Sequence, residues 1–497
     1  MGLLDEPIKI PETLKNFIDG EWVDASTEDW RDVVNPATQK VIAKVPISTE
    51  EDLDKAVEAA VQAYPEWRKT PPLSRARYFY RLKNLMEEHF EELSRICVME
   101  HGKVIDEARG ETRRAIENVE VATGIPSLMM GYNLEDISRD IDEYVIRQPL
   151  GVFACIAPYN FPIMVPLWFM PYAVATGNTY IIKPSPWTPL SQTKLMELID
   201  KAGFPPGVIN MIHGDVEVVS SILKHPEIKG VSFVGSTPIG RDVVYKEAAS
   251  HGKRVQAQCG AKNFIVVMPD AVKDQTVAST ITSFFGSTGQ RCLSGSNLVI
   301  VGEDDSFHLN MLGRIKEAAD KIRIGYGLDE TIQMGPMQSE ARKKKVIGYI
   351  EKGLEEGAKI VKDGRDFTLI GGYPDKCFIG TTIFENVSPD MTIAREEIFG
   401  PVMSVMRVRK IDEAIDMINR SNYGNAAAIF TSNGRLARKF QYEAQCGNIG
   451  INIGIAAPMA FFPFSGMKDS FFGDLHGQGV EAIRFFTESK VVIQRWF

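Results

Sequence analysis

The chain has few cysteines and no arrangement of them that predicts a disulfide framework or a zinc site. Six cysteines are spread over 497 residues, without a CxxC pair or a Cys/His spacing typical of metal ligands. The first residues carry early acids and no apolar run, which argues against a secretory signal. Glu6 breaks the myristoylation pattern. We therefore expect reduced thiols in a cytoplasmic protein.

An excess of basic charge is also missing. The 56 Lys and Arg residues are outnumbered by 65 Asp and Glu residues, giving a net charge of −9, which argues against a nucleic-acid partner. Residues 148–182 carry no formal charge, but Pro162, Pro166 and Pro171 interrupt them. A lipid-facing helix does not fit that pattern, so we expect no membrane span and a buried strand–turn–helix instead.

The first third of the sequence predicts local elements. Asp19-Gly20 predicts the turn of a hairpin. Ser48 and Glu51 form a capping box ahead of an amphipathic helix that continues to about residue 64. A second long helical region is predicted over about 73–122.

From residue 151 short apolar runs alternate with helical patterns. Buried strands are predicted at 151–157, 179–182, 208–212, 230–234 and 264–268. Helices are predicted between them at 192–202, 216–224 and 241–249. This alternation predicts an α/β fold with a parallel, doubly wound sheet, which binds ligands at the carboxyl ends of its strands.

The C-terminal residues 488–497 predict an exposed strand with apolar alternate positions. An open strand edge needs a partner. The edge either meets a second subunit or packs on its own domain, and the sequence leaves both alternatives open.

Several motifs occur together along nearly the whole chain. They are Pro158-Tyr-Asn-Phe-Pro162, Lys183-Pro-Ser185, Phe233-Val-Gly-Ser-Thr237, Gly289-Gln-Arg-Cys292 and Glu396-Glu-Ile-Phe-Gly-Pro401. In this order they resemble the aldehyde dehydrogenase superfamily. Within it, the chain most resembles the CoA-acylating methylmalonate-semialdehyde dehydrogenases, through Val255-Gln-Ala, Gly260-Ala-Lys-Asn, Val266-Val-Met-Pro-Asp-Ala271, Tyr423-Gly-Asn425 and Ser127-Leu-Met-Met-Gly131. The resemblance implies a Rossmann-type NAD(P)-binding domain (1–125 and 149–258) and an α/β catalytic domain (259–455). It also implies a small β oligomerisation element (126–148 and 456–497) in a homodimer or homotetramer.

The resemblance makes Cys292 the nucleophile. A thiolate attacks the aldehyde carbonyl, and the hemithioacetal then loses hydride to leave a thioester. The side-chain amide of Asn160 and the backbone N–H of Cys292 match the oxyanion hole of the family. The structural alternative for Asn160 is a turn residue before Phe161-Pro162.

The resemblance also implies the cofactor residues, for NAD or NADP. They are Ala157, Pro158, Tyr159, Lys183, Ser185, Pro186, Gly214, Gly235, Ser236, Gly240, Glu397 and Phe399. The segment 235–240 follows a predicted strand and opens a helix, so its backbone N–H groups suit a pyrophosphate. Pro186 stands where the family usually has a glutamate that binds the adenosine ribose. Without that carboxylate a 2′-phosphate is not repelled, so both cofactors stay open.

Gln258 occupies the position at which the family usually carries a glutamate general base. An amide cannot take up a proton at neutral pH, so it cannot activate water. A free thiol is the better nucleophile toward a thioester, which favours coenzyme A as the acyl acceptor. If Glu397 replaces the missing base, the enzyme is instead hydrolytic and releases a free carboxylic acid.

Arg114 and Arg291 match arginines that the resembled enzymes use for a substrate carboxylate. A guanidinium binds both oxygens of that group with its planar fork. The expected substrate is therefore a (methyl)malonate-semialdehyde-type aldehyde, whose thioester product readily loses CO2. Arg114 could instead belong to a solvated helix face with Arg109 and Arg113. A binding protein that kept the fold and lost catalysis is a further alternative.

Overall fold

The computed structural model describes residues 2–7 and 10–497. The strands are β1 (Asn16–Ile18), β2 (Glu21–Val23), β3 (Trp30–Val34), β4 (Val41–Pro46), β5 (Asn133–Ser138), β6 (Ile141–Pro149), β7 (Val152–Ile156), β8 (Thr179–Lys183), β9 (Ile209–Met211), β10 (Ile228–Val234), β11 (Arg254–Gln258), β12 (Asn263–Val267), β13 (Gly295–Val301), β14 (Lys359–Lys362), β15 (Thr382–Glu385), β16 (Val402–Val408), β17 (Tyr423–Gly424), β18 (Ala426–Phe430), β19 (Asn448–Ile451), β20 (Met467–Lys468), β21 (Phe471–Gly473) and β22 (Thr487–Arg495).

The helices separate and cover these strands. They are α1 (Glu50–Lys69), α2 (Pro72–Glu88), α3 (Phe90–His101), α4 (Ile105–Thr123), α5 (Ile125–Leu128), α6 (Met164–Leu167), α7 (Met170–Ala175), α8 (Leu190–Ala202), α9 (Val216–Lys224), α10 (Lys246–Ser250), α11 (Lys273–Phe285), α12 (Asp305–Asp320), α13 (Glu340–Glu355), α14 (Thr392–Arg395), α15 (Ile411–Arg420), α16 (Gly434–Glu443) and α17 (Gly479–Phe485). A π-helical segment (Ile239–Tyr245) leads into α10, and 3₁₀ turns lie at Gly286–Gly289 and Asp375–Cys377.

Five parallel strands form the centre of an eight-stranded sheet, in the spatial order β9-β8-β7-β10-β11. β8 and β9 extend the sheet on one side of β7, and β10 and β11 extend it on the other. The order therefore reverses between β7 and β10, as in a doubly wound sheet. All five residues of β7 are buried, as expected for a parallel strand covered on both faces. The predicted parallel, doubly wound sheet is confirmed.

A seven-stranded sheet forms the second half of the molecule, in the order β14-β15-β16-β13-β12-β18-β19. Its strands pair in parallel except for β14, which runs antiparallel to β15. The apolar residues of β12 and β13 contribute to the core of this sheet. Alternate residues of β12, such as Ile265, belong to a core that also contains residues of the first sheet, and the others, such as Val266, belong to a second core. The parallel strand ends again lie at one edge.

The predicted N-terminal hairpin is confirmed, since β1 and β2 pair around Asp19 and Gly20, both with positive φ. The predicted capping box is wrong by one residue. Thr49 precedes α1, and its backbone N–H donates to Asp52 over 3.0 Å. Ser48 is buried instead and accepts a hydrogen bond from Asn16 over 2.9 Å.

The predicted helical region over about 73–122 is three helices, α2, α3 and α4. Gly102 ends α3 with a φ of +96°, a conformation that favours glycine. A Cβ atom at this position would also lie 2.8 Å from the ring of Pro336. The break therefore depends on a contact with residues more than two hundred positions away in the sequence.

The uncharged stretch 148–182 forms β7, α6, α7 and most of β8, and nearly all of it is buried. Among the described residues, no helix is both long and apolar enough to cross a membrane. The prediction of a buried strand–turn–helix is confirmed.

The C-terminal strand β22 pairs with β6 of its own chain along its whole length, from Thr487 opposite Pro149 to Arg495 opposite Ile141. It lies at the edge of a three-stranded sheet with β6 and β5. β21, by contrast, pairs with β11 and covers that edge of the eight-stranded sheet. β21, which lies within 456–497, therefore belongs to the eight-stranded sheet.

Candidate active site

The carboxyl edge of the eight-stranded sheet gathers most of the residues predicted to bind a cofactor. Doubly wound sheets bind nucleotides at this edge, where the strand order reverses. The predicted residues are Ala157, Pro158 and Tyr159 directly after β7, Lys183 at the end of β8 followed by Ser185 and Pro186, Gly214 after β9, and Gly235, Ser236 and Gly240 after β10. The fold thus brings residues from four separate segments to one edge.

The segment after β10 has the features that a pyrophosphate requires. Gly235 and the exposed Ser236 lead into a helical stretch that begins at Thr237. Backbone N–H groups at a helix start favour an anion. Gly240 approaches Cys259 so closely that a Cβ atom would overlap the Cys259 sulfur, which explains a glycine here. The segment fits the pyrophosphate of NAD(P).

Lys183 ends β8 and is only 4% exposed. Burial lowers the pKa of its ammonium to about 8, while the nearby carboxylate of Asp215 raises it. The hydroxyl of Ser185 accepts a hydrogen bond from the backbone N–H of Trp187 over 3.3 Å. Pro186, half-buried between them, offers no side-chain acceptor. This end of the site suits a ribose. It lacks the carboxylate that the family usually has at position 186 to bind the adenosine ribose.

Glu397 and Phe399 lie in the loop between α14 and β16, a strand of the second sheet. The Oε1 atom of Glu397 accepts a hydrogen bond from the backbone N–H of Ala261 over 2.9 Å, and burial raises the Glu397 pKa to about 7. Phe399 has a φ of +57°, a strained conformation for a bulky residue. Its ring lies edge-on to Tyr159 at a centroid distance of 6.2 Å. These two predicted residues therefore face those from the first sheet.

Cys292 follows a strained turn at the end of α11. Ser287 and Thr288 have left-handed φ values of 47° and 55°, and Gly289 has a φ of 71°. The Thr288 hydroxyl donates to the carbonyl of Gly335 over 2.8 Å, which holds the turn in place. Strain of this kind persists where the surrounding structure fixes it, often at active sites.

Two asparagines hold the backbone of Cys292. The side-chain amides of Asn263 and Asn425 each donate to the Cys292 carbonyl over 2.8 Å. Asn263 begins β12 and Asn425 lies just before β18, so the two amides come from adjacent strands. The sequence reasoning assigned neither residue a role. The available signal was a polar residue at the start of an otherwise apolar strand.

Asn160 lies against the same turn. Its side-chain amide donates to the carbonyl of Gln290 over 3.0 Å, and its own carbonyl accepts a hydrogen bond from the buried ammonium of Lys103 over 2.8 Å. A primary amide has two N–H donors, so one remains for a substrate oxygen. The structure therefore brings Asn160 next to the residues that precede Cys292.

The thiol of Cys292 opens onto a cavity of about 410 Å³. Three aromatic side chains, Phe161, Trp168 and Phe464, form part of its wall. Burial raises the pKa of the Cys292 thiol to about 12, and the charge of Glu397 adds to this rise. The charge of Arg291 and the backbone N–H groups of Cys292 and Leu293 act in the opposite direction. The resting thiol is therefore largely protonated near neutral pH.

Arg114 lines this cavity, whereas its neighbour Arg113 does not. Arg113 pairs with Glu87 on the surface over 2.6 Å. The Nη1 atom of Arg114 lies 3.0 Å from Glu117, which also lines the cavity. Arg114 therefore faces the cavity, and Arg113 faces the solvent.

Arg291 lies on the cavity wall beside Cys292. Its Nη2 atom is 2.7 Å from Glu107, and its Nε–H donates to the Ser287 hydroxyl over 3.1 Å. Glu107 also accepts the backbone N–H of Ser287 over 2.7 Å. Both predicted substrate arginines are thus paired with glutamates that the sequence reasoning did not anticipate.

Gln258 ends β11 and is 4% exposed. Its side-chain N–H donates to the carbonyl of Phe464 over 3.2 Å, and Phe464 forms part of the cavity wall. Its Oε1 atom is buried and has no hydrogen-bond partner among residues 2–7 and 10–497. The amide is therefore held beside the cavity by its nitrogen.

Comparisons with known proteins agree with this geometry. The model of the aldehyde dehydrogenase family matches residues 22–492. Malonate-semialdehyde dehydrogenase 3 of Geobacillus kaustophilus (strain HTA426) is 51% identical over 486 residues, which cover 98% of this chain and 99% of that protein. Malonate-semialdehyde dehydrogenase of Bacillus subtilis (strain 168) is 47% identical, with 97% and 98% covered.

Solved structures give the same result. A protein assigned as a methylmalonate-semialdehyde dehydrogenase from Sinorhizobium meliloti 1021, complexed with NAD, superposes with a TM-score of 0.95 at 41% identity, covering 98% of this chain and 99% of that one. The methylmalonate-semialdehyde dehydrogenase of Oceanimonas doudoroffii superposes with a TM-score of 0.94 at 41% identity and the same coverage. The chain belongs to the aldehyde dehydrogenase family and is an oxidoreductase.

Proposed function

We propose that the protein oxidises malonate semialdehyde or its methyl homologue with NAD(P), and transfers the acyl group from Cys292 to coenzyme A. The observation that carries the proposal is the cavity in which Cys292 shares a wall with Arg114 and Arg291, while the residue at the base position is the amide of Gln258. The names of the relatives and of the similar structures support the same substrate class.

The first step needs a thiolate and a stabilised oxyanion. Arg291 and the backbone N–H groups favour the thiolate of Cys292, and an additional positive charge nearby would favour it further. The free N–H of the Asn160 amide and the backbone N–H of Cys292 are the donors for the developing alkoxide. Losing one such donor costs about 10²–10³-fold in rate.

The residues at the carboxyl edge fit NAD(P). Ser236 and the helix start after β10 would hold the pyrophosphate, Lys183 a ribose, and Glu397 with Phe399 the nicotinamide end. When bound, the cofactor would supply the acceptor for the hydride that the hemithioacetal on Cys292 loses. The complex of the Sinorhizobium meliloti protein with NAD favours NAD for this chain.

The thioester then waits for a second nucleophile. Gln258 cannot deprotonate water. The cavity carboxylates Glu107 and Glu117 are already engaged by arginines, Glu107 by Arg291 over 2.7 Å and Glu117 by Arg114 over 3.0 Å. The thiol of coenzyme A ionises more easily than water and attacks the thioester.

Loss of CO2 completes the reaction. The substrate carboxylate lies β to the thioester carbonyl, so the electron pair of the broken C–C bond is delocalised onto that carbonyl. The resulting carbanion takes up the proton that the coenzyme A thiol lost. The products are an acyl-CoA, CO2 and the reduced cofactor.

The direct experiment supplies malonate semialdehyde and each cofactor, with and without coenzyme A. We expect acetyl-CoA and CO2 by mass spectrometry, and sustained reduction of the cofactor only when coenzyme A is present. Turnover that is indifferent to coenzyme A and yields free acid would contradict the proposal.

A variant pair tests the substrate carboxylate. Arg114→Gln should lower kcat/KM for malonate semialdehyde by about 10–150-fold, the value of one charged hydrogen bond, and change kcat/KM for propanal far less. Arg113→Gln is the matched control, because it removes the same charge one residue away on the surface. Equal losses for both aldehydes would exclude a carboxylate contact.

One observation favours a hydrolytic alternative. Burial raises the pKa of Glu397 to about 7, which is suited to a general base near neutral pH. If Glu397 activates water, the wild type releases free acid without coenzyme A, and Glu397→Gln abolishes that release. Under the main proposal, Glu397→Gln changes cofactor reduction and leaves the acyl acceptor unchanged.

We also propose a homodimer or homotetramer in the cytoplasm. β22 is an edge strand whose side chains Val491 and Ile493 are 58% and 68% exposed, and Trp496 beyond it is 79% exposed. An apolar strand edge of this kind suits pairing with a second copy. The six cysteines are all free, which fits a reducing compartment. Ile493→Lys should lower the mass measured by sedimentation to that of a monomer, and an unchanged mass would exclude this edge.

A further inference from the structure

The adenosine end of the site contains a charged pair that the sequence motifs do not include. Asp215 follows Gly214, one strand away from Lys183, because β8 and β9 are neighbours. Gly214 has a φ of +146°, and a Cβ atom there would lie 2.5 Å from Val218, so only glycine allows this turn. The turn directs Asp215 to the carboxyl edge where cofactor residues gather.

The carboxylate of Asp215 does not cap its own helix. Asp215 occupies the N-cap position of α9, yet no hydrogen bond joins its side chain to the first turn. Its Oδ2 atom instead lies 2.9 Å from Nη2 of Arg31, which comes from β3. An aspartate at this position usually caps, so its direction toward Arg31 calls for another explanation.

Arg31 also lies near position 186, where Pro186 replaces the usual glutamate. Its guanidinium carbon lies 5.1 Å from the ring centroid of Trp187, the residue after Pro186. Asp215 and Arg31 shift the Lys183 pKa in opposite directions, which places both charges near that ammonium. The neighbouring His213 is 1% exposed, and neither ring nitrogen has a partner among the described residues.

A pair of this kind contributes little to stability. The Arg31 and Asp215 side chains are 31% and 40% exposed, and ion pairs at such positions contribute about 0–1 kcal/mol. In dinucleotide sites, an acidic side chain accepts the adenosine 2′-hydroxyl of NAD, whereas a nearby arginine accommodates the 2′-phosphate of NADP. Here both side chains are present and bound to each other.

We propose that Asp215 and Arg31 together determine the choice between NAD and NADP. Asp215 takes the role of the carboxylate that is absent at position 186 and accepts the 2′-hydroxyl of the adenosine ribose. It also neutralises Arg31, which is then not free to bind a 2′-phosphate. The inference rests on the proposed NAD(P)-dependent function and assigns the residues that select the cofactor.

Direct binding to the full-length protein tests the pair. Calorimetry with NAD and NADP should show a preference for NAD in the wild type. Asp215→Asn should weaken NAD, strengthen NADP, and shift the ratio of their affinities by about 10–150-fold, the value of one charged hydrogen bond. Arg31→Gln in the Asp215→Asn background should remove the gain for NADP and leave NAD as in the single variant.

The fragments 5′-AMP and adenosine 2′,5′-bisphosphate locate the effect, because they contain only the adenosine end. Their affinity ratio should shift as the cofactor ratio does. Glu217→Gln is the control, since it removes the same charge from the first turn of α9. Thermal melts should show all these variants folded.

The outcomes separate this inference from the function on which it rests. If NAD binds and Asp215→Asn leaves both ratios unchanged, the assignment of the pair is overturned and the proposed function stands. If Glu217→Gln shifts the ratios equally, the effect is general electrostatics and the assignment is again overturned. A folded wild type that binds neither cofactor overturns both proposals.

Discussion

Replacing Gln258 by glutamate tests the basis of the acyl-acceptor proposal. A positioned general base contributes about 10²–10⁴-fold to the attack of water. Gln258 is 4% exposed, so burial should raise the pKa of a new carboxyl above its usual range. Only part of the protein is then ionised at neutral pH, which places the expected gain at the lower end of that range. Gln258→Glu should therefore release free acid without coenzyme A, and faster as the pH rises toward about 9.

The assay follows a single turnover with substrate and cofactor but no coenzyme A, and measures free acid and the acyl-enzyme by mass spectrometry. Glutamate also replaces the donor to the Phe464 carbonyl, which lies 3.2 Å away, so the ionised variant should lose about 1–3 kcal/mol of unfolding free energy. Gln258→Met is the control, since it removes the same donor without adding a base. If folded Gln258→Glu releases acid no faster than Gln258→Met across this pH range, the residue does not control water attack and the reasoning fails.

Further predictions concern the oxyanion donor, the ribose lysine and a buried ion pair. Asn160→Ala should lower kcat by about 10²–10³-fold without weakening NAD, and an equal loss of NAD affinity in calorimetry would contradict its role. Because the Lys183 ammonium is charged below its pKa of about 8, NAD affinity should fall as the pH rises through that value, and Lys183→Met should remove this dependence in the same measurement. The Lys103 and Glu111 side chains form a fully buried ion pair, so Lys103→Met should lower the unfolding free energy by about 3–5 kcal/mol. Lys103→Met with Glu111→Gln should recover much of that loss in urea unfolding, because the amide oxygen still accepts the backbone N–H groups of Ile163 and Met164. No recovery would mean that the ion pair is not the cause.

Strand ends were the part of the structure that the sequence predicted best. Uncharged apolar runs bounded by polar residues predicted where β7 and β8 lie, and Lys183 is the last residue of β8. β11, which ends at Gln258, was not predicted. Because the strands are parallel, their carboxyl ends meet at one edge without further information. The local sequence pattern therefore predicted where the cofactor residues lie, although their roles stay predictions.

Contacts between distant segments were not predictable. Arg291 and Glu107 lie far apart in the sequence, and no local pattern shows that they pair over 2.7 Å. The cap of α1 was misassigned to Ser48 instead of Thr49. The choice between these adjacent hydroxyl residues depends on Asn16 of β1, which binds the Ser48 hydroxyl. The same limitation hid Asp215, whose partner Arg31 belongs to a separate two-stranded ribbon.

The turn before Cys292 shows why the remaining site depends on tertiary structure. Left-handed φ values at Ser287 and Thr288 cost about 1–3 kcal/mol each, more than one neutral hydrogen bond returns. Amides from three separate elements offset this cost: one binds the carbonyl of Gln290, and two bind the carbonyl of Cys292. Because peptide units are planar, fixing these carbonyls fixes the peptide planes on both sides of the unit that contains the Cys292 N–H. The Cys292 N–H is therefore oriented before the aldehyde arrives. An oxyanion hole lowers the reaction barrier most when its donors are oriented in advance, because they then need no reorganisation during the reaction.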